Sequence, residues 1–188
     1  MAAVGQGADR RLCAYVVPRT GGDQGGAVDE HLSRWQALYD SLFGQTAPER
    51  DGEALFTGWN DSYTGQPIPF DEMSSWRDRT VERIQTLEPG RVWEIGCGTG
   101  PLLVALAPSC RAYWGTDLSR KALAILESAA VARGLAHVAL EFRRADDFTG
   151  VAAGSFDTVV INSVVQYSPN RAYLETVMAR EDFAKEVK

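Results

Sequence analysis

From Arg91 onward the chain alternates short apolar runs with helix-forming segments, and that alternation restricts the fold more than any other feature of the sequence. The runs are "RVWEI" (91–95), "RAYWGTD" (111–117), a strand within "HVALEFRRAD" (137–146) and another within "FDTVVINSVVQY" (156–167). They are nearly uninterrupted, whereas a sheet with one wet face would alternate apolar and polar positions. The segments between them carry helix punctuation. "GPLLVALAP" starts a helix that Pro108 closes, and Ser119 caps another whose Ala122, Ile125, Leu126 and Ala129 face inward until Gly134 supplies a left-handed end. Strands buried on both faces and separated by helices predict a parallel, Rossmann-like α/β sheet.

Upstream of Arg91 the pattern is different. "RRLCAYVVPR" is a β-type run from Leu12 to Val17 stopped by Pro18, and four glycines follow in "TGGDQGGAVDE". Val28, Leu32, Trp35, Leu38 and Leu42 then recur at helical spacing up to Gly44. A long loop with Phe56, Trp59 and Tyr63 leads to Pro69, Asp71 and Glu72, which suit the start of a second helix. Its apolar stripe is Phe70, Met73, Trp76, Val81, Ile84 and Leu87. Trp35 and Trp76 read as core residues.

Composition narrows the function classes. The 188 residues carry a net charge of −6, with 45% apolar and 23% charged side chains, which fits roughly one globular domain. The acidic balance argues against nucleic acid, and the densest basic pair, Arg143 and Arg144, is followed at once by Asp146 and Asp147. No apolar run approaches the roughly 18 residues of a spanning helix, so the reading is a soluble, cytoplasmic chain with no membrane partner. Cys13, Cys97 and Cys110 are widely spaced with no histidine cluster nearby, which predicts buried thiols, no disulfide framework and no metal site.

The candidate site starts at "EIGCGTGPLL", where Gly96, Gly98 and Gly100 follow the first strand of the alternating region. Bare backbone at a strand end before a helix lets a ligand press on the main chain and offers unpaired N–H donors. The dinucleotide fingerprint needs its third glycine one position later, where Pro101 stands, and "TGPL" lacks the lysine and hydroxyl of a phosphate loop. Glu94 would repel phosphate but accept from an ammonium group. Asp117 ends the second strand, where Rossmann-like folds bind ribose hydroxyls. After the third strand, Asp146 is placed to accept from an adenine amine, with Phe148 or a backbone N–H against the ring. Ammonium, ribose and adenine together describe S-adenosylmethionine, to which we assign Glu94, Gly96, Cys97, Gly98, Gly100, Asp117, Leu118, Asp146, Asp147, Phe148 and Asn162.

The series "EIGCGTG", "TD" and "ADDF" resembles the class I S-adenosylmethionine-dependent methyltransferases, from about Arg91 to the chain end. A narrower resemblance covers residues 28 to 175: "HLSRWQALYDSLF", "FTGWNDSYTGQPIPFDEMSSWRDRTVERI" and "FDTVVINSVVQYSPNRAYL" are similar to the methyltransferase domains embedded in nonribosomal peptide synthetases. "RRLCAYVVPR" in turn looks like the adenylation-domain strand that precedes such an insertion. The resemblance implies N-methylation of an aminoacyl group held as a thioester, with adenylation and carrier domains as partners. It divides the chain into an adenylation-type strand and linker (1–27), a helical cap (28–90) and a partial Rossmann-like domain (91–188). A complete class I sheet has seven strands and four are legible here, which implies a sheet truncated at its carboxy end.

In this fold class Asn162, Gln166 and Tyr167, at the end of the fourth strand, face the cofactor and are candidates for orienting the amine. Tyr63 and Trp59 are candidates for covering a sulfonium by cation–π contact, worth about 0.5–2 kcal/mol. His31 and His137 are single and unclustered, and neither fits a catalytic base. Three alternatives stand beside the leading reading: a free-standing small-molecule methyltransferase, a remnant that binds nothing, and a nicotinamide enzyme.

Overall fold

The computed structural model describes residues 2–4, 11–13, 24–44 and 52–179. At the amino end β1 (Ala2–Val4) pairs antiparallel with β2 (Arg11–Cys13). The expected strand from Leu12 to Val17 is thus seen in its first residues; 14–17 lie outside the described residues, as does the glycine-rich stretch up to 23. Helices α1 (Gln24–Phe43) and α2 (Phe70–Gln85) follow, the second starting directly after Pro69 with Asp71 and Glu72 in its first turn.

The alternating region forms as the sequence predicts. It runs β3 (Arg91–Ile95), α3 (Pro101–Leu106), β4 (Ala112–Asp117), α4 (Arg120–Ala132), β5 (Val138–Phe142), β6 (Thr158–Ile161) and α5 (Arg171–Met178). Ser119 caps α4 by accepting from Ala122 N, and Gly134 takes a φ of 68° past its end. The four later strands form one parallel sheet in the order β5-β4-β3-β6. After β3 the chain builds β4 and β5 outward on one side, then returns to lay β6 on the other. That reversal is a topological switch point, and a crevice opens beyond the carboxyl ends of the strands that flank it.

Each sheet face has its own core. Val92 and Tyr113 point toward Val81 of α2, Leu102, Leu103 and Leu106 of α3, and Leu126 of α4. Trp93 and Ile95 point the other way, against Trp114, Phe148 and Phe156. Trp114 stacks on Phe156 at 5.6 Å and an 11° interplanar angle. At 25 cal/mol per Å², buried aromatics of this size contribute several kcal/mol each to burying this face.

No helix joins β5 to β6; residues 143–157 cross irregularly with Gly150 and Gly154 in left-handed turns. The fourth strand within 156–167 ends before Asn162, as expected, since Ser163 takes a φ of 56° and Val165–Tyr167 closes into a 3-10 turn. Other expectations are corrected. On α1, Leu38 is 56% exposed while Tyr39 and Phe43 turn inward. Leu87 falls beyond the end of α2 and is exposed. The expected loop before α2 is anchored where it is described: Leu55 and Phe56 are buried, and Thr99 Oγ1 donates to Leu55 O at 2.6 Å. Among the described residues no helix is long and apolar enough to cross a membrane.

Candidate functional site

The crevice at the switch point is a cavity of about 320 Å³. Its floor is the glycine loop and the ends of β3, β4 and β6, and its roof is α1 together with the turn after β6. Of the residues assigned from sequence, Glu94, Gly96, Cys97, Gly98, Asp117, Leu118, Asn162, Gln166 and Tyr167 all lie on its wall.

The three glycines serve three purposes. A Cβ on Gly96 would come within 2.3 Å of Val164 Cγ2, so this glycine lets the turn after β6 sit against the loop. A Cβ on Gly100 would run into Leu126 at 2.1 Å, so that one lets α4 pack close and does not face the cavity. Around Gly98, with φ 54°, a Cβ would meet nothing within 4 Å. Its bare side is open space on the cavity wall, where a ligand can approach the main chain.

Asp117 organises this floor. Its Oδ2 accepts from Gly98 N at 2.8 Å and its Oδ1 from Ser119 N at 2.7 Å, so one carboxylate ties the glycine loop to the start of α4. Burial pushes its carboxyl above the ordinary carboxylate range, opposed by these backbone donors. Glu94 is 3% exposed. Burial drives its carboxyl up to about 8, the hydrogen bond from Tyr113 opposing the shift and the Asp117 charge adding to it. The Cys97 thiol is pushed well above its ordinary value by burial and by the same two acids, which keeps it protonated and unreactive.

The roof is aromatic. Trp35, Tyr39 and Phe43 line it at four-residue spacing along α1. The Tyr167 ring packs on Trp35 at 4.5 Å and edge-on against Tyr39 at 5.9 Å. Trp35, assigned to the core from its position on the helix, is therefore a wall residue. His31 Nε2 lies 2.8 Å from Trp35 Nε1 and 3.0 Å from Tyr167 O, so that imidazole nitrogen is engaged within the roof. His137 is tied to Ala107 O at 2.8 Å. Trp59 lines the cavity and packs on Trp76 at 4.7 Å.

Other assigned residues stand elsewhere. Asp146 is held in a fork by Arg144, both contacts at 2.9 Å, and is outside the cavity wall. Phe148 packs edge-on against Trp93 in the opposite core, and Asp147 turns to Thr149 N. Tyr63 is 96% exposed on a turn that Asp61 closes by accepting from Tyr63 N and Thr64 N. On the wall, apolar Leu118, Ala145 and Ile161 occupy the side toward α5.

Among the described residues no group of three or more His, Cys, Asp or Glu side chains is placed to hold a metal. The residues that are present suit a cationic nucleoside: a buried acid at one end, an acid at the end of β4, an open main chain between them and apolar wall beyond.

Comparison with known proteins agrees with this geometry. Residues 93–180 match the sequence family described as a methyltransferase domain. The chain is 48% identical over 170 residues to the chondramide synthase of Chondromyces crocatus, covering 90% of this chain and 4% of that protein. It is 41% identical over 169 residues to a probable non-canonical nonribosomal peptide synthetase of Salinispora arenicola, covering 90% of this chain and 2% of that one. Among solved structures, the magnesium protoporphyrin IX methyltransferase of Synechocystis PCC 6803, with bound SAM, shares the fold at a TM-score of 0.58 and 18% identity, covering 82% of this chain and 72% of that one. Residues 93–180 thus carry a methyltransferase domain, and the chain resembles the S-adenosylmethionine-dependent methyltransferase domains built into nonribosomal peptide synthetases.

Proposed function

We propose that this chain transfers a methyl group from S-adenosylmethionine to the amine of an aminoacyl group held as a thioester on a carrier domain. The observation that carries the reading is the convergence of Glu94, the open side of Gly98 and Asp117 on one cavity inside a methyltransferase domain. The acceptor and the partners, adenylation and carrier domains, rest on the similarity to peptide synthetases, of which this chain spans only a few per cent of the length. On the same ground residues 28–90 are a cap over the site and 91–188 the cofactor-binding part.

When bound, S-adenosylmethionine supplies an electrophilic methyl group. Gly98 leaves room for it, Asp117 is the acceptor for its ribose hydroxyls and Glu94 for its ammonium. The chain's remaining task is to hold a neutral amine in line with the methyl, since positioning is the main source of rate in such a displacement. Asn162, Gln166 and Tyr167 sit on the wall beyond β6, where they would orient that amine. Gln166 Nε2 already donates to Ser163 O at 2.9 Å, which fixes its oxygen as an available acceptor. With both imidazoles engaged, the amine's proton leaves through water.

The test is incubation of the purified chain with S-adenosylmethionine and an aminoacyl thioester, read by mass spectrometry. A gain of one methyl on nitrogen, abolished by Asp117→Ala together with cofactor binding, is the expected result. Cofactor binding with methyl appearing on oxygen or sulfur would overturn the acceptor assignment, and no cofactor binding by the folded chain would overturn the reading altogether.

A further inference from the structure

We propose that Tyr113 is a positioning residue for the cofactor's ammonium group, acting through Glu94. This rests on the reading that the cavity takes S-adenosylmethionine. Tyr113 lies on β4, 1% exposed, among the apolar side chains of α2, α3 and α4. A phenylalanine would fill that core as well, and a buried phenol without a partner would be costly. Its O–H donates to Glu94 Oε2 at 2.9 Å across the β3–β4 pair. Among the described residues this is the one donor to the Glu94 carboxylate, whose side chain lines the cavity. The phenol therefore fixes one oxygen from the core side and leaves the other for a ligand.

The surroundings make that bond matter. The titratable groups near Glu94 are Tyr113 and Asp117 on β4 and Cys97 in the glycine loop, while α3, "PLLVAL", brings none. Among the described residues no cation offsets the acid, and burial keeps it protonated up to about pH 8. When an ammonium group binds, the Glu94 O–H bond breaks, the proton leaves to water and the carboxylate pairs with the cation. Tyr113 stabilises that anion and so favours binding. Without the phenol, Glu94 would hold its proton to a still higher pH.

The experiment measures S-adenosylhomocysteine affinity, since that ligand keeps the ammonium and is not turned over, for the wild type, Tyr113→Phe, Glu94→Gln and the double variant between pH 7 and 9. Tyr113→Phe is expected to bind about tenfold more weakly at pH 7, the factor for losing a hydrogen bond to a charged group. The gap should narrow toward pH 9, as the wild-type acid is already ionised while the variant's is still ionising; the ligand's own titration cancels in the ratio. In the Glu94→Gln background the same substitution should add nothing. A gap constant with pH, an equal loss in the Glu94→Gln background, or no loss at all would overturn the proposal. If the wild type itself fails to bind, the cofactor reading has failed instead.

Discussion

At the scale of single residues, the strand ends were legible and the crossover was not. Glu94 is the penultimate residue of β3 and Asp117 the last of β4, and side chains at the carboxyl ends of strands flanking a switch point border the crevice. Asp146 and Phe148 follow β5 by a helix-free path, where Arg144 competes for the carboxylate and the buried Trp93 takes the ring edge-on. The role of Tyr113 needed the register of β3 against β4 before it could be seen. Glu94 also makes a stability prediction. Its carboxyl ionises near its ordinary value of 4.5 when unfolded but only at about 8 when folded. The folded state therefore holds more protons across that interval, and stability falls as pH rises through it. Glu94→Gln has no proton to lose. In the ligand-free protein it should melt increasingly above the wild type from pH 5 to pH 8, by on the order of a few kcal/mol at the upper end. A gap that shrinks with pH would show that Glu94 is ionised in the fold.

At the scale of elements, the roof helix is where sequence periodicity misled. The spacing of apolar residues on α1 was read correctly as helical, but hydrophobicity alone ranked Leu38 above Tyr39, and the face that turns inward is the one carrying Trp35, Tyr39 and Phe43. Beside its apolar contacts with α5, the helix carries a polar contact near each end. Asp40 Oδ1 accepts from Ser119 Oγ at 2.6 Å near its carboxy end, and Asp29 pairs with Arg144 at 2.7 Å near its amino end. Ser119 is also the cap of α4 and neighbours the residue Asp117, so the roof is fastened to the same turn that forms the floor. The Asp29 pair is exposed and contributes little. The Asp40 bond is more sheltered. Its removal in Asp40→Ala is expected to cost about 1 kcal/mol of roof attachment, seen as roughly fivefold faster S-adenosylhomocysteine release and faster amide exchange in the second half of α1. Amides of β3 and β4 should keep their protection, because the sheet core does not depend on this contact. Unchanged release and unchanged exchange would mean that the apolar contacts of α1 hold it without the anchor.

At the scale of the whole molecule, the site exists only when distant segments meet. Its wall draws on α1, the segment before α2, the ends of β3 and β4, and the turns after β6 through α5, so no part of the cavity survives unfolding. A ligand that needs this wall binds the folded state alone and stabilises it by mass action, by about 2.7 kcal/mol at a hundred times its Kd. For a chain of this length that corresponds to a rise in melting temperature of roughly 5–11 °C. The five tryptophans divide between the two sides of the sheet in a way that locates the event: Trp35 and Trp59 line the cavity, Trp76 packs beside Trp59, and Trp93 and Trp114 belong to the opposite core. Ligand binding should therefore change the emission of Trp35 and Trp59 while the Trp93–Trp114 pair is silent. Trp35→Phe and Trp59→Phe are each expected to remove part of the signal, and Trp114→Phe none of it. If the melting rise appeared with a signal that only Trp114→Phe removed, the ligand would be seated on the aromatic face beneath the crossover, and the cavity at the switch point would not be the cofactor site.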